Sequence, residues 1–271
     1  MRRWALMLIC WLAGACLTQA NAAWLQSKGA SLIISTLDSY SSDARFDALG
    51  RRAPATGYHK QELSVYGVYG LSDALTLGAQ PRFFRLAGPS GAGGGRRYTS
   101  GLSQLELFVR ARILAGDYWI VSTQALVKIP GARAFDREPL LQSSSRDFEG
   151  RLLFGHGGWL PSQLLRLKYF TSFEAGYRLR DRNAADQWRA DATFGVDPFE
   201  NYQIIFQSFN TVSAGRRNSA GSSSYDVYKA QISIVRNLPR RMALQFGGFT
   251  ELAGRNTGAG NAMFVAVWSR F

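Results

Sequence analysis

Cysteine is almost missing from this chain: Cys10 and Cys16 are the only two, and both fall within residues 1–22. Any product lacking those residues is thiol-free. That excludes a disulfide-stapled secreted domain, a thiolate metal site and a Cys nucleophile. Histidine is as scarce, at two residues, His59 and His156. His59 is followed by Lys60-Gln61 and His156 by Gly157-Gly158, so neither offers a neighbouring Ser for a nucleophile–base pair. Glu62, Glu106, Glu149 and Glu174 each read more simply as partners of arginine than as paired catalytic carboxylates. No catalytic residue, metal or cofactor is expected. Long apolar runs are also missing after the first residues, where nothing approaches the ~18 residues of a spanning helix. Acidic residues are outnumbered, 19 against 32 Lys and Arg, for a formal charge of +13.

What is present begins with a leader. Arg2 and Arg3 form a positive start, Trp4 to Leu17 is almost wholly apolar, and Ala20-Asn21-Ala22 matches a signal-peptidase site. Residues 1–22 are expected to be removed, leaving 23–271 as one domain. An export signal argues against nucleic acid as the partner of the positive charge, and points to lipopolysaccharide phosphates, acidic polysaccharides and anionic solutes. The slightly polar mean hydropathy suits a barrel in which only alternate residues meet lipid.

Helical periodicity is hard to find. Alternation of two recurs instead. In 104–113, Leu105, Leu107, Val109, Ala111 and Ile113 share one face, against Gln104, Glu106, Arg110 and Arg112. Segments 165–179 and 188–196 repeat the scheme, with aromatics near their ends as in interfacial girdles. Twelve such segments can be drawn: 29–40, 58–70, 75–86, 102–113, 118–128, 147–158, 165–180, 187–197, 202–213, 225–236, 242–252 and 261–271. Short connections at 71–74, 114–117, 159–164, 198–201 and 237–241 interleave with longer ones at 41–57, 87–101, 129–146, 181–186, 214–224 and 253–260. This rhythm predicts an all-β, antiparallel transmembrane barrel of about twelve strands, with short periplasmic turns and longer external loops. Met263, Val265, Val267 and Ser269 alternate towards Phe271, a terminal aromatic of the kind the barrel-assembly machinery recognises. The Gly-rich tract at 88–95 reads as an external loop tip, since no Lys-Ser/Thr and no helix follows it.

With apolar faces towards lipid, the lumen receives Glu62, Gln80, Arg82, Glu106, Arg110, Arg112, Lys128, Glu149, Arg151, Arg166, Lys168, Glu174, Arg178, Arg189, Asp191 and Lys229. Two readings stand side by side. One is a basic pathway for anionic or polyhydroxylated solutes; the other is an internal ion-pair network filling a narrow barrel. A second group, Arg45, Arg51, Arg52, Arg96, Arg97, Arg133, Arg137, Arg182, Arg216, Arg217 and Arg255, falls in the external connections. Arginine forks suit lipopolysaccharide phosphates there, and ordinary solvated loop charge is the alternative.

Tyr58-His59-Lys60-Gln61-Glu62-Leu63-Ser64-Val65-Tyr66 followed by Tyr69-Gly70-Leu71-Ser72-Asp73-Ala74-Leu75-Thr76-Leu77-Gly78 resembles a hairpin of a proteobacterial outer-membrane family. Its members include XagA-type proteins encoded with exopolysaccharide synthesis genes, and barrels linked to the meta-cleavage pathway of phenol degradation. Phe46-Asp47 and Gly50-Arg51-Arg52 resemble the same pattern, while Val68 stands where the family commonly has Glu. The likeness covers about residues 23–85. It implies a barrel tied to surface polysaccharide or small-molecule passage, with no catalytic residues to carry over. The reading is therefore a barrel passing or helping export an anionic or polyhydroxylated solute. The alternatives are a non-conducting structural barrel that binds lipopolysaccharide or a partner through its arginine-rich loops, and, third, a lipid-modifying enzyme.

Overall fold

The computed structural model describes residues 23–89, 96–131, 146–160, 167–181, 184–214 and 224–271. Among them every regular element is a strand: β1 (Ser31–Phe46), β2 (Arg52–Ser72), β3 (Leu75–Pro89), β4 (Arg96–Ala115), β5 (Trp119–Pro130), β6 (Asp147–Leu160), β7 (Leu167–Arg180), β8 (Asp186–Phe199), β9 (Tyr202–Ala214), β10 (Asp226–Leu238), β11 (Met242–Arg255), β12 (Thr257–Gly258) and β13 (Asn261–Arg270). β12 is a two-residue rung against the end of β1. The other twelve form an antiparallel barrel in which each strand pairs with its sequence neighbour. β1 closes the ring by pairing with β2 on one side and β13 on the other. Closure gives each wall strand a hydrogen-bonded neighbour on both sides, the condition for crossing hydrocarbon.

Period-two alternation decides which side of the wall each residue takes. On β7, Tyr169, Thr171, Phe173 and Ala175 face outward, while Lys168, Phe170, Ser172 and Glu174 face the lumen. The outer face is apolar and bare: Leu37, Leu63, Leu152, Phe173, Ile232 and Phe246 are all exposed. A water-soluble protein would bury such a belt. Aromatics bound it at the external end (Tyr98, Trp188) and the periplasmic end (Tyr118, Trp119, Tyr202).

The external connections depart from the sequence reading. The stretch 41–57 is mostly strand: β1 runs to Phe46, β2 starts at Arg52, and a five-residue turn, Asp47–Arg51, joins them. Pairing of β3 with β4 likewise continues out to Pro89↔Arg96. Ladder hydrogen bonds need no apolar side chains, so pairing continues past the membrane belt. At ~3.3 Å per residue and a tilt near 45°, the 21 residues of β2 rise roughly 50 Å, well beyond the ~25 Å belt.

Candidate functional site in the barrel lumen

The lumen wall has two unlike sides. From β2 to β8 it is a continuous chain of ion pairs. Glu62 takes Lys60 and Arg82, each at 2.9 Å. Arg82 and Arg178 reach Glu106 at 4.0 and 3.9 Å. Asp147 takes Lys128 at 2.5 Å, with Arg178 and Arg180 at 3.6 and 3.5 Å. Glu149 is bonded by both Arg151 and Arg178.

The hub of this arc is Arg151, which also meets Glu174 and Asp191, both at 2.8 Å. Its reach has a structural cause. Glu174 and Asp191 are cross-strand partners, two like charges side by side. Arg151 stands opposite Gly176, and a Cβ there would collide with the Arg151 stem. Glycine therefore opens the passage through which the guanidinium crosses β7 to neutralise the acidic pair. Arg189 completes the link with Glu149 and Asp191 at 3.9 and 3.6 Å.

From β8 round to β13 the wall carries amides, hydroxyls and rings. Gln207 donates to Thr193 Oγ1 at 3.3 Å, and Gln231 to Gln207 Oε1 at 2.7 Å. Gln245 donates to Ser233 Oγ and accepts from the Trp268 indole, both at 2.9 Å. Towards the external end this ladder meets rings. Tyr40 stacks on Phe249 at 6.1 Å and packs edge-on to Tyr58 at 5.9 Å. Lys229 lies over Phe249 at 5.0 Å and Lys60 over Phe84 at 4.5 Å. Glu251 accepts from the Tyr40 hydroxyl at 2.6 Å and pairs with Lys229 at 3.3 Å.

The periplasmic half differs from both. Leu32, Val68, Phe108, Leu126, Phe170, Ile205, Val235, Ala243, Ala266 and Trp268 form one buried apolar cluster on the inner face. Below it the segment 23–29 folds back into the barrel. Ser122 donates to the Ala23 carbonyl at 2.8 Å, and Arg110, whose fork also holds Gln124, donates to the Trp24 carbonyl at 3.2 Å. The Gln26 amide bonds Thr76 Oγ1 at 3.0 Å, and the Gly29 amide bonds the Gly70 carbonyl at 2.8 Å. Ala23 is fully buried against Ile120 and Leu153. The Trp24 indole rests on Gly155, where a Cβ would overlap it.

Of the residues singled out in the sequence, Arg82, Glu106, Lys128, Arg151, Glu174, Arg178 and Arg189 are brought together in the ion-paired arc. Arg110 is engaged instead with Gln124 and segment 23–29. Arg112 lies at a bulge near the periplasmic rim, exposed and outside the network. Lys168 is on the inner parity of β7 near the same rim, and Arg166 lies outside the described residues. The rim arginines are not assembled into one site. Arg51 pairs with Asp47 at 3.0 Å in the β1–β2 turn, Arg52 opens β2, and Arg255 pairs with Asp226 at 3.0 Å. Arg96 and Arg97 begin β4, with side chains beyond the description, and Arg133, Arg137, Arg182, Arg216 and Arg217 lie outside the described residues.

Outside the ion-pair network, Asp47 is held below the usual carboxylate range by the Arg51 amide first, then by the Leu49 amide and the Arg51 side chain. Neither histidine reaches the lumen. His156 faces outward against the Tyr169 hydroxyl at 3.1 Å, and His59 has outward parity on β2. Among the described residues no group of His, Cys, Asp and Glu has the makings of a metal site.

The fold is shared with solved outer-membrane barrels. An outer membrane channel from Pseudomonas putida F1 matches 93% of this chain and 99% of its own at 15% identity, with a TM-score of 0.64. The KdgM porin in complex with oligogalacturonate matches 89% of this chain and 99% of its own at 7% identity, TM-score 0.53. LpxR from Salmonella typhimurium matches 88% of this chain and 99% of its own at 12% identity, TM-score 0.50. No protein-family model matches the chain, and no curated protein does. At these identities the likeness establishes the outer-membrane barrel architecture, and does not extend to the XagA-type family that the β2–β3 hairpin resembles.

Proposed function

We propose that this barrel, in the outer membrane of a Gram-negative bacterium, passes or helps export a polyhydroxylated solute, neutral or anionic, in surface-polysaccharide production. The observation that carries the reading is the side of the lumen from β8 to β13. Its glutamine ladder exchanges hydrogen bonds with hydroxyls and runs out to the rings of Phe249, Tyr40 and Tyr58, which can stack on sugar faces, while the charges of the β2 to β8 arc are largely cancelled by pairing. A likeness in fold to an outer-membrane channel and a porin supports passage, and the resemblance of the β2–β3 hairpin to XagA-type proteins supports the link to exopolysaccharide. The test is swelling of proteoliposomes in isotonic tetrasaccharide. The protein should raise the rate over empty liposomes, and Gln207→Leu with Gln231→Leu should cut it several-fold. Equal swelling with and without folded protein sinks the reading.

A second reading, a non-conducting structural barrel, is favoured by one observation: the apolar cluster and segment 23–29 occupy the periplasmic half of the lumen. It predicts that folded protein stays silent even when residues 23–28 are deleted. Lipopolysaccharide held through the rim arginines belongs to this reading, and removal of lipid phosphates should then weaken retention of the lipid during purification.

A further inference from the structure

At the periplasmic rim a half-open cavity of about 280 Å³ lies between segment 23–29, the β4–β5 turn and the adjoining ends of β6 and β7. It is not part of the lumen wall described above. Rings dominate its lining: Trp24 from the folded-back segment, Tyr118 from the turn, Trp119 from the start of β5, Trp159 from the end of β6 and Tyr169 from β7. Tyr118 and Trp119 stand where a membrane girdle belongs. Trp24 cannot be a girdle residue, because it is held inside the barrel on Gly155. Trp159 lies on the lumen side opposite Lys168, and keeps 61% of its surface exposed. A tryptophan left bare inside a rim pocket serves neither core packing nor lipid anchoring.

Two polar groups converge on the same cavity. Asp117 offers acceptors from the turn and Lys168 offers donors from β7, and neither has an ion-pair partner among the described residues. Gly157 and Gly158 leave the backbone open on the third side. Flat apolar faces with one acid and one amine at the edge suit a ring that is apolar on its faces and hydroxylated around its rim. The volume takes one such ring and not two.

We propose that this cavity binds a single pyranose unit of a polysaccharide at the periplasmic mouth, stacked on Trp159 and Trp24, with hydroxyls on Asp117 and Lys168. The inference rests on the polysaccharide reading for its ligand class, though not on passage through the barrel. Detergent-solubilised protein titrated with a neutral gluco-tetrasaccharide and with tetragalacturonate, followed by calorimetry and tryptophan fluorescence, tests it. Saturable binding of at least one sugar is expected. Trp159→Ala should weaken that binding about tenfold, the size of one ring contact. Trp188→Ala, an exposed ring at the other end of the barrel, should leave it unchanged. Lys168→Gln should weaken tetragalacturonate more than the neutral sugar. Absence of saturable binding to protein shown to be folded, or binding indifferent to both Trp159→Ala and Lys168→Gln, overturns the proposal. Sugar-dependent swelling retained by a protein that fails this test would discard the pocket alone. Binding retained without swelling would discard passage alone.

Discussion

The two sides of the lumen solve the same problem in opposite ways. Both must place polar side chains inside a low-dielectric wall. From β2 to β8 the answer is charge against charge, with Arg151 serving Glu149, Glu174 and Asp191 at once. From β8 to β13 it is amide against hydroxyl and amide, with Gln231 on Gln207 and Gln207 on Thr193. The first side is strongly interdependent, because losing one member strands several buried charges. The second is modular, because each glutamine contributes a neutral bond worth ~1 kcal/mol net. Charges already engaged with one another have little left for a solute, whereas amides exchange partners at low cost. The lesson is that the more highly charged side is built for holding shape, and the side dominated by amides, where Lys229 and Glu251 form an ion pair, for contact.

The sharpest way to break this contrast is Arg151→Met. It leaves the facing pair Glu174 and Asp191 without their bridge, and should lower stability by roughly 3–5 kcal/mol. Urea unfolding in lipid vesicles, read by heat-modifiable gel mobility, would show it. A loss under ~1 kcal/mol would mean that the arc is not interdependent. Next, Gly155→Val should displace Trp24 and destabilise by ~1–3 kcal/mol through overpacking. A red shift of tryptophan emission and protease sensitivity at residues 23–29 would report the unseating. Gln231→Ala should cost only about 1 kcal/mol, and the fold should survive it. A collapse comparable to Arg151→Met would erase the distinction between the two sides. The smallest effect lies outside both. Because the Asp47 carboxyl sits below its ordinary value, its contribution to the β1–β2 turn is fully present above the unfolded carboxylate range, near pH 4. It is lost as pH falls through the folded value. Amide exchange at Leu49 and Arg51 should accelerate only in that acid window.

Much of the wall was legible because period two alone decides which side a residue takes. Twelve strands, their order and the inward parity of Arg82, Glu106, Arg151 and Glu174 all follow from alternation. Pairing was not legible, since it depends on register. Nothing local shows that Gly176 stands opposite Arg151, or that two carboxylates of β7 and β8 face each other. The apolar layer had a signal that alternation carried. Phe108 interrupts the polar face Gln104, Glu106, Arg110, Arg112, and Phe170 falls between Lys168 and Ser172 on the inner parity. The seat of segment 23–29 had none, because it is held by backbone groups bonded to side chains up to 99 residues away and by a ring resting on a distant glycine. The external ends of β1 and β2 read as loops because they are polar, although a hydrogen-bonded ladder tolerates polar residues on both faces once it leaves lipid.

The most direct measurement is conductance and reversal potential of refolded protein in a planar bilayer under a salt gradient. A stable conductance is expected, with a modest anion preference, small because the lumen charges are paired, and with block by polyhydroxylated oligosaccharides added to one side. Silence from protein shown to be folded, persisting after residues 23–28 are deleted, would contradict passage and leave the structural barrel standing.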